Sequence, residues 1–256
     1  MTNRTLLVAA ALCVTAAVTL TACGDDKKAN AEVAGHSASA APSPAKLFEG
    51  LSAAQIAGKS RLAMTKLKSF RVKGGRTSHG VEMTVDFTVA GKGSCQGTFT
   101  VAGAHTELRV VGGHRYMKGD KKFWQQSGRR KGSSPQETNA LAEMFKGRWF
   151  AVPEQAAKEG DDFYACDFNA FEKDSPLHRG AETEVDGIPA VTLTGKEGSG
   201  GTRTILVSAK AEPYPLRVTV EGGTAPGSLE YSAFNEPVTV TPPPADEVLD
   251  FDKLKK

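Results

Sequence analysis

Residues 81–89 read VEMTVDFTV. Val81, Met83, Val85, Phe87 and Val89 alternate without a break with Glu82, Thr84, Asp86 and Thr88. In a β-strand successive side chains point to opposite faces, so this pattern makes one face wet and the other apolar. What covers the apolar face, the protein's own helices or a bound molecule, decides how the chain is built and what it does.

The same period of two extends outward in short runs punctuated by glycine. FRVKG, SCQGTFTVAG, TELRVVGG, HRYMKGD and KKFWQQ carry it from Phe70 to Gln126, the pattern of an antiparallel meander. In the run that follows VEMTVDFTV, Cys95, Gly97, Phe99 and Val101 share a face. Ahead of the meander, Ser52-Ala53-Ala54-Gln55 has the spacing of a capping box. Ile56, Ala63 and Leu67 then recur on one side of a helix that reaches about Lys68. Behind the meander, a polar loop, SGRRKGS, leads to Ser134-Pro135-Gln136-Glu137. An N-cap serine, a proline at the first helical position and a glutamate at the third predict a helix through Leu141, Met144 and Phe145, ending near Gly147.

A third helix is predicted from Asp161 to about Lys173, with Asp161 and Asp162 suited to its positive N-terminal end. Strands return in AETEVDGIPAVTLTG, which turns at Asp186-Gly187, and continue in TRTILVSAK, PLRVTVEGG and SLEYSAFNE. Leu216, Val218 and Val220 alternate onto one face. The closing TPPPADEVLDFDKLKK is proline-stiffened and then charged, a surface tail able to dock through Val248 and Phe251.

About ten strands with three helices, the longest of them between two runs of strands, is an α+β order. Ten strands spaced ~4.8 Å apart make a sheet ~48 Å wide, whereas three helices side by side cover ~30 Å. Large apolar residues left wet would each forfeit roughly 1.5–3 kcal/mol. Sheet curvature, a bound apolar molecule, or both must cover the difference.

The chain opens MTNRTLLVAAALCVTAAVTLTACGDD, with one basic residue, an apolar run and small residues before Cys23: residues 1–22 read as a secretory signal. The run is shorter than the ~20 residues of a membrane-spanning helix. Leu20-Thr21-Ala22-Cys23 resembles the lipobox of bacterial lipoproteins, in which the chain is cut before the cysteine and the cysteine is acylated. That resemblance implies a protein held by acyl chains, palmitate among them, on the outer face of the cell membrane. Residues 23–50 then form a flexible tether, rich in Ala, Ser and small polar residues, and residues 51–256 are long enough for one domain with a core. Cys13 leaves with the signal and Cys23 carries lipid, so Cys95 and Cys166 remain in an oxidising compartment. Pairing is expected there, the alternative being two separate buried thiols.

A net charge of +3 gives no ground for a nucleic-acid partner. Gly58-Lys59-Ser60 imitates the end of a phosphate-binding loop, but Ala53 stands where the leading glycine belongs. Ser43-Pro44-Ala45-Lys46 has a Ser-x-x-Lys spacing, but lies in the tether, where nothing would hold an activated serine. His36, His79, His105, His114 and His178 are scattered without metal-ligand spacing. No catalytic residue, metal or cofactor is assigned. Lys118, Lys121, Lys122, Arg129, Arg130 and Lys131 surround Phe123 and Trp124, and read first as solvated loop charge around a partly buried tryptophan. The alternative is a loop that rests on anionic headgroups.

The lipobox, the low-complexity tether, the capped helix at Ser52, HRYMKGDKKFW in a glycine-punctuated meander, GRWFAVP after the middle helix, and YPLRVTVEGG followed by GSLEYSAFNEPVTVTPPPADEVLDF together resemble the secreted actinobacterial lipoproteins related to mycobacterial LppX and LprG. The resemblance spans nearly all of residues 51–256 and rests on the order and spacing of elements. It implies a LolA- and LolB-like fold: a strongly curved antiparallel sheet, an unclosed half-barrel, with the helices on its concave face and a hydrophobic cavity between. It also implies an envelope lipoprotein that binds or carries a lipid or other apolar molecule without catalysis. The lining would be Met83, Val85, Phe87, Phe99, Val101, Leu108, Val110, Val191, Leu193, Leu216, Val218 and Val220, with Met144 and Phe145 from the covering helix. Cys95 and Cys166 depart from that family pattern, and a bridge between them would fix the helical plug. The competing expectation is a surface-displayed interaction or sensory lipoprotein whose core is filled by its own side chains.

Overall fold

The computed structural model describes residues 48–91, 93–130, 132–153, 166, 168, 170 and 176–249. The signal, Cys23, the tether as far as residue 47, Phe251 and the third predicted helix, apart from Cys166, Phe168 and Ala170, lie outside them. The last three tether residues are described, and there the reading is corrected, because Phe48 is 1% exposed in the main core and its carbonyl accepts from Arg179.

The first helix, α1 (Ala53–Thr65), begins at the predicted capping box: the Ser52 hydroxyl accepts from the Gln55 amide, and the Gln55 side chain accepts from the Ser52 amide at 2.9 Å. It buries Ile56, Ala57 and Ala63. The meander follows as β1 (Ser69–Ser78), β2 (Val81–Ala90), β3 (Ser94–Val101), β4 (Ala104–Val111) and β5 (His114–Gly119). Next come α2 (Lys121–Arg130), α3 (Pro135–Phe145) and a short β6 (Trp149–Ala151). The second run of strands is β7 (Leu177–Val185), β8 (Ile188–Lys196), β9 (Thr202–Ser208), β10 (Pro215–Glu221) and β11 (Gly227–Ser232). A single 3-10 turn, Ala245–Glu247, leads into β12 (Val248–Leu249).

Among the described residues these twelve strands form one sheet, in the order β12-β6-β5-β4-β3-β2-β1-β11-β10-β9-β8-β7. All pairings are antiparallel except that of β12 with β6. β7 and β12 stay at opposite edges, so the sheet curves into a half-barrel without closing. The two runs of strands meet at one ladder, β1 against β11, where Val72 stands opposite Tyr231 and Gly74 opposite Leu229.

Three expectations are corrected. KKFWQQ is not a strand and SGRRKGS is not wholly a loop, because α2 occupies most of both. The Asp120 carboxylate starts that helix by accepting from the Phe123 amide at 2.7 Å, and the helix turns Phe123 inward against Phe99, ring centroids 6.3 Å apart. The adjacent Trp124 packs against Phe145 of α3 at 5.2 Å and donates its indole N–H to the Gly119 carbonyl. Lys121 of α2 also reaches Glu143 of α3 at 2.5 Å. Hydrogen bonds from Lys121 and Lys146 push that carboxyl down to about 2. Second, the closing tail supplies a strand, since Val248 and Leu249 pair with Trp149 and Phe150. Third, Leu216 does not share a face with Val218: the β9–β10 register shifts between Pro215 and Arg217, and a bulge places neighbouring side chains on the same side. Leu216 therefore packs with Val185, Ile188, Leu206 and Phe234 in a small cluster separate from the main core.

The main core joins α1 to both halves of the sheet, with Ile56, Phe87, Leu108, Leu193 and Ile205 all at most 1% exposed. The opposite face of the sheet is polar and tied across strands. The Arg71 guanidinium donates twice to Asp86, at 2.8 and 2.7 Å, holding that carboxyl below its ordinary range. Exposed pairs of this kind each contribute only about 0–1 kcal/mol, so the sheet is held by its apolar face.

Two features tighten that face. Cys95 of β3 is bridged to Cys166, which brings Phe168 onto Phe87 with ring centroids 5.2 Å apart. Gly97 lies between Phe87 and Leu108 in register, and a Cβ there would come within 2.7 Å of the Phe87 Cα and closer still to the Asp86 carbonyl oxygen.

Two outcomes follow for stability. Cys95→Ser/Cys166→Ser removes a link that spans 71 residues of sequence, and in the chain-entropy account lowers the unfolding free energy by about 4 kcal/mol, read from urea denaturation. Gly97→Ala forces β2 and β3 apart along backbone that has no room to yield and destabilises by about 1–3 kcal/mol in the same assay, while an exposed Gly198→Ala control, at a glycine without positive φ and with open space around it, measures the backbone effect alone.

Candidate functional site

The apolar face of β2 is not covered evenly. Phe87 and Val89 are 1% and 8% exposed, Met83 and Val85 are half-buried, and Val81 is 39% exposed. Cover runs out along the strand, and a cavity of about 350 Å³ opens where it does.

The register explains the hollow. On β1, Gly74 stands between Val85 of β2 and Leu229 of β11, and Gly227 of β11 stands between Arg76 and Val220. At both positions an added Cβ would run into the backbone of the adjoining strand, at the Ser228 carbonyl oxygen from Gly74 and at the Gly75 carbonyl oxygen from Gly227. Glycine thus lets the central strands approach, and the backbone of Gly75 and Gly227 lines the cavity. A Cβ on Gly74 would fall within 2.9 Å of the Leu229 Cα, and its φ of +153° suits glycine. Met83 and Val85 form one wall and Val218, Val220 and Leu229 the other, and Phe168 and Ala170 add to the lining.

Of the residues predicted from sequence to line a ligand site, the structure brings Met83, Val85, Val218 and Val220 to this cavity. Phe87, Phe99, Leu108, Val110, Val191 and Leu193 are packed inside the main core, with Val101 half-buried against it. Phe145 is buried against Trp124 and Phe150, Met144 on the same helix is 53% exposed, and Leu216 belongs to the separate cluster. The alternating face predicted from sequence is thus mostly core, with a hollow at one end.

The cavity also holds groups that were not singled out in the sequence. Arg203 of β9 shares a face with Ile205 and Val207, both fully buried, and is itself 7% exposed. It pairs with Glu197, and both line the cavity together with Tyr231 and Arg76. A charged residue in an otherwise apolar stripe, TRTILVS, is the signal that would have found it. A second hollow, of about 340 Å³, lies by Leu216, Ile188 and Phe234, beside Arg71, Lys73 and Arg217 of the polar face. Among the described residues no three His, Cys, Asp or Glu side chains are grouped to hold a metal ion, and no helix is long and apolar enough to cross a membrane.

No protein-family profile matches the sequence, and no curated protein does. Solved structures do resemble it. The Mycobacterium tuberculosis lipoprotein LppX is 15% identical and superposes with a TM-score of 0.50 over 74% of this chain and 98% of its own. LprF from Mycobacterium bovis is 16% identical, with a TM-score of 0.46 over 75% of this chain and 96% of its own. The open half-barrel described above is thus similar in fold to the mycobacterial lipoprotein LppX.

Proposed function

We propose that this chain is an extracytoplasmic envelope lipoprotein, anchored through acylated Cys23, that holds a lipid or similar apolar molecule in the cavity beside β1 and performs no catalysis. The observation that carries this reading is the graded cover of β2. An apolar wall left half-buried over a glycine floor is unfavourable in water and favourable once an apolar chain fills it. Each methylene so buried contributes about 0.8 kcal/mol, with little discrimination between chain types. A volume of about 350 Å³ falls within the usual range for small-molecule sites.

A second reading has its own support. Phe87, Phe99, Leu108, Val191 and Leu193 are each at most 3% exposed, so most of the concave face is already filled by the protein. On that reading the chain is an interaction module, and the hollow by Leu216 and Phe234 on the other face is where a partner would sit.

The two readings separate in one experiment. The full chain carrying Cys23→Ser is secreted, purified without detergent, and weighed under native and denaturing conditions. A lipid-mass adduct present only in the native spectrum supports the carrier, and a bare mass in both supports the interaction module. Val85→Trp, whose ring projects over Gly74 into the hollow, is expected to abolish the adduct while the thermal midpoint stays within a few degrees of the parent. An undiminished adduct would place the ligand elsewhere.

A further inference from the structure

The charged groups in this cavity are unusual for a site that only buries hydrocarbon. Arg203 and Glu197 have side chains 9% and 15% exposed, and they face an otherwise apolar lining of Met83, Val85, Val218, Val220 and Leu229. Removing such a pair from water carries a desolvation penalty that their mutual attraction offsets only in part, and well-packed apolar residues usually do as well or better. Packing alone therefore gives no reason for an arginine at a position flanked on the same face by Ile205.

The pair is also not alone. In register Arg76 of β1 stands opposite Met83, on the same face as Val72, and its exposed side chain lines the mouth of the cavity. Among the described residues, two cations and one carboxylate therefore line the hollow. Arginine is the side chain best suited to this work, because its planar fork of donors matches carboxylate and phosphate oxygens.

We propose that the cavity is a site for an acyl-chain amphiphile with an anionic carboxylate or phosphate headgroup. The chain lies between Val85 and Val218 over the glycine floor, and the headgroup sits against Arg203 and Arg76. Glu197 is a positioning residue: it holds the Arg203 guanidinium at the cavity wall. This assignment rests on the carrier reading above and adds the sign of the ligand's headgroup charge to it.

The test uses four probes with the same twelve-carbon chain: dodecanoate, dodecyl phosphate, 1-dodecanol and dodecyltrimethylammonium. Each displaces N-phenyl-1-naphthylamine, a neutral apolar dye, from the full chain carrying Cys23→Ser at neutral pH and low salt. Dodecanoate or dodecyl phosphate is expected to bind at least tenfold more tightly than dodecanol, the stronger of the two identifying the headgroup, and the ammonium probe is expected to bind most weakly. The preference is expected to vanish in Arg203→Met/Glu197→Met, which removes both charges and leaves no buried ion alone, while dodecanol binding is retained. Arg76→Met lies at the exposed mouth, leaves the core untouched, and is expected to reduce the preference about threefold even if the double variant does not fold. Equal binding of dodecanoate, dodecyl phosphate and dodecanol would overturn the headgroup assignment and leave the carrier reading standing. So would a preference that survives both sets of substitutions, or tightest binding by the ammonium probe. Failure of every probe and of the dye to bind would overturn the carrier reading itself.

Discussion

The fold depends on one constraint: a broad open sheet has a continuous apolar face that must be kept from water, and helices alone do not span it. Curvature brings the two halves of the sheet toward each other, so that Phe87 of β2, Leu193 of β8 and Ile205 of β9 share one core with Ile56 of α1. The rest of the structure can be understood by how well each region meets this demand. Near Cys95 it is met fully, by a covalent link and by the Phe168 ring. Around α2 and α3 it is met by aromatic contacts, with Trp124 lying between Phe123, Phe145 and Phe150. Toward Val81 it is not met by the described residues, and the cavity is the remainder.

The glycines and the ion pair act on that remainder in different ways. Gly74 and Gly227 let β1 and β11 approach where a Cβ would collide with the neighbouring backbone, and Gly75 and Gly227 leave bare backbone at the hollow. Arg203 and Glu197 place charge at its wall, where the low local dielectric strengthens any further polar contact. An apolar floor with a charged wall is chemically asymmetric, and an asymmetric hollow orients what enters it.

Much of this was legible in the sequence, because a period of two and a capping box are local signals. VEMTVDFTV is β2 with the faces its alternation dictates, and both capping boxes lie where Ser52 and Ser134 put them. The failures have physical causes. KKFWQQ misled because Phe123 and Trp124 are strand-forming side chains in a short window, while the deciding contact is made by the Asp120 carboxylate just before it. Leu216 changed face because a bulge breaks the period without leaving a mark in composition. The extent of the cavity could not be read at all. Phe87 and Met83 have the same parity on one strand, and only the three-dimensional cover separates a core residue from a lining one.

The order in which the ladders can form gives the β1–β11 pairing a further meaning. Most strands pair with a neighbour in sequence, whereas Arg71 meets Ser232 only after nearly the whole domain has been made. Contacts so distant along the chain carry the largest loop-closure entropy and set the pace of folding. The hollow straddles that seam, with Val85 on one side and Val218 and Leu229 on the other. Neither half of the sheet contains it alone, so the hollow exists only once the ladder that joins the two ends of the domain has formed.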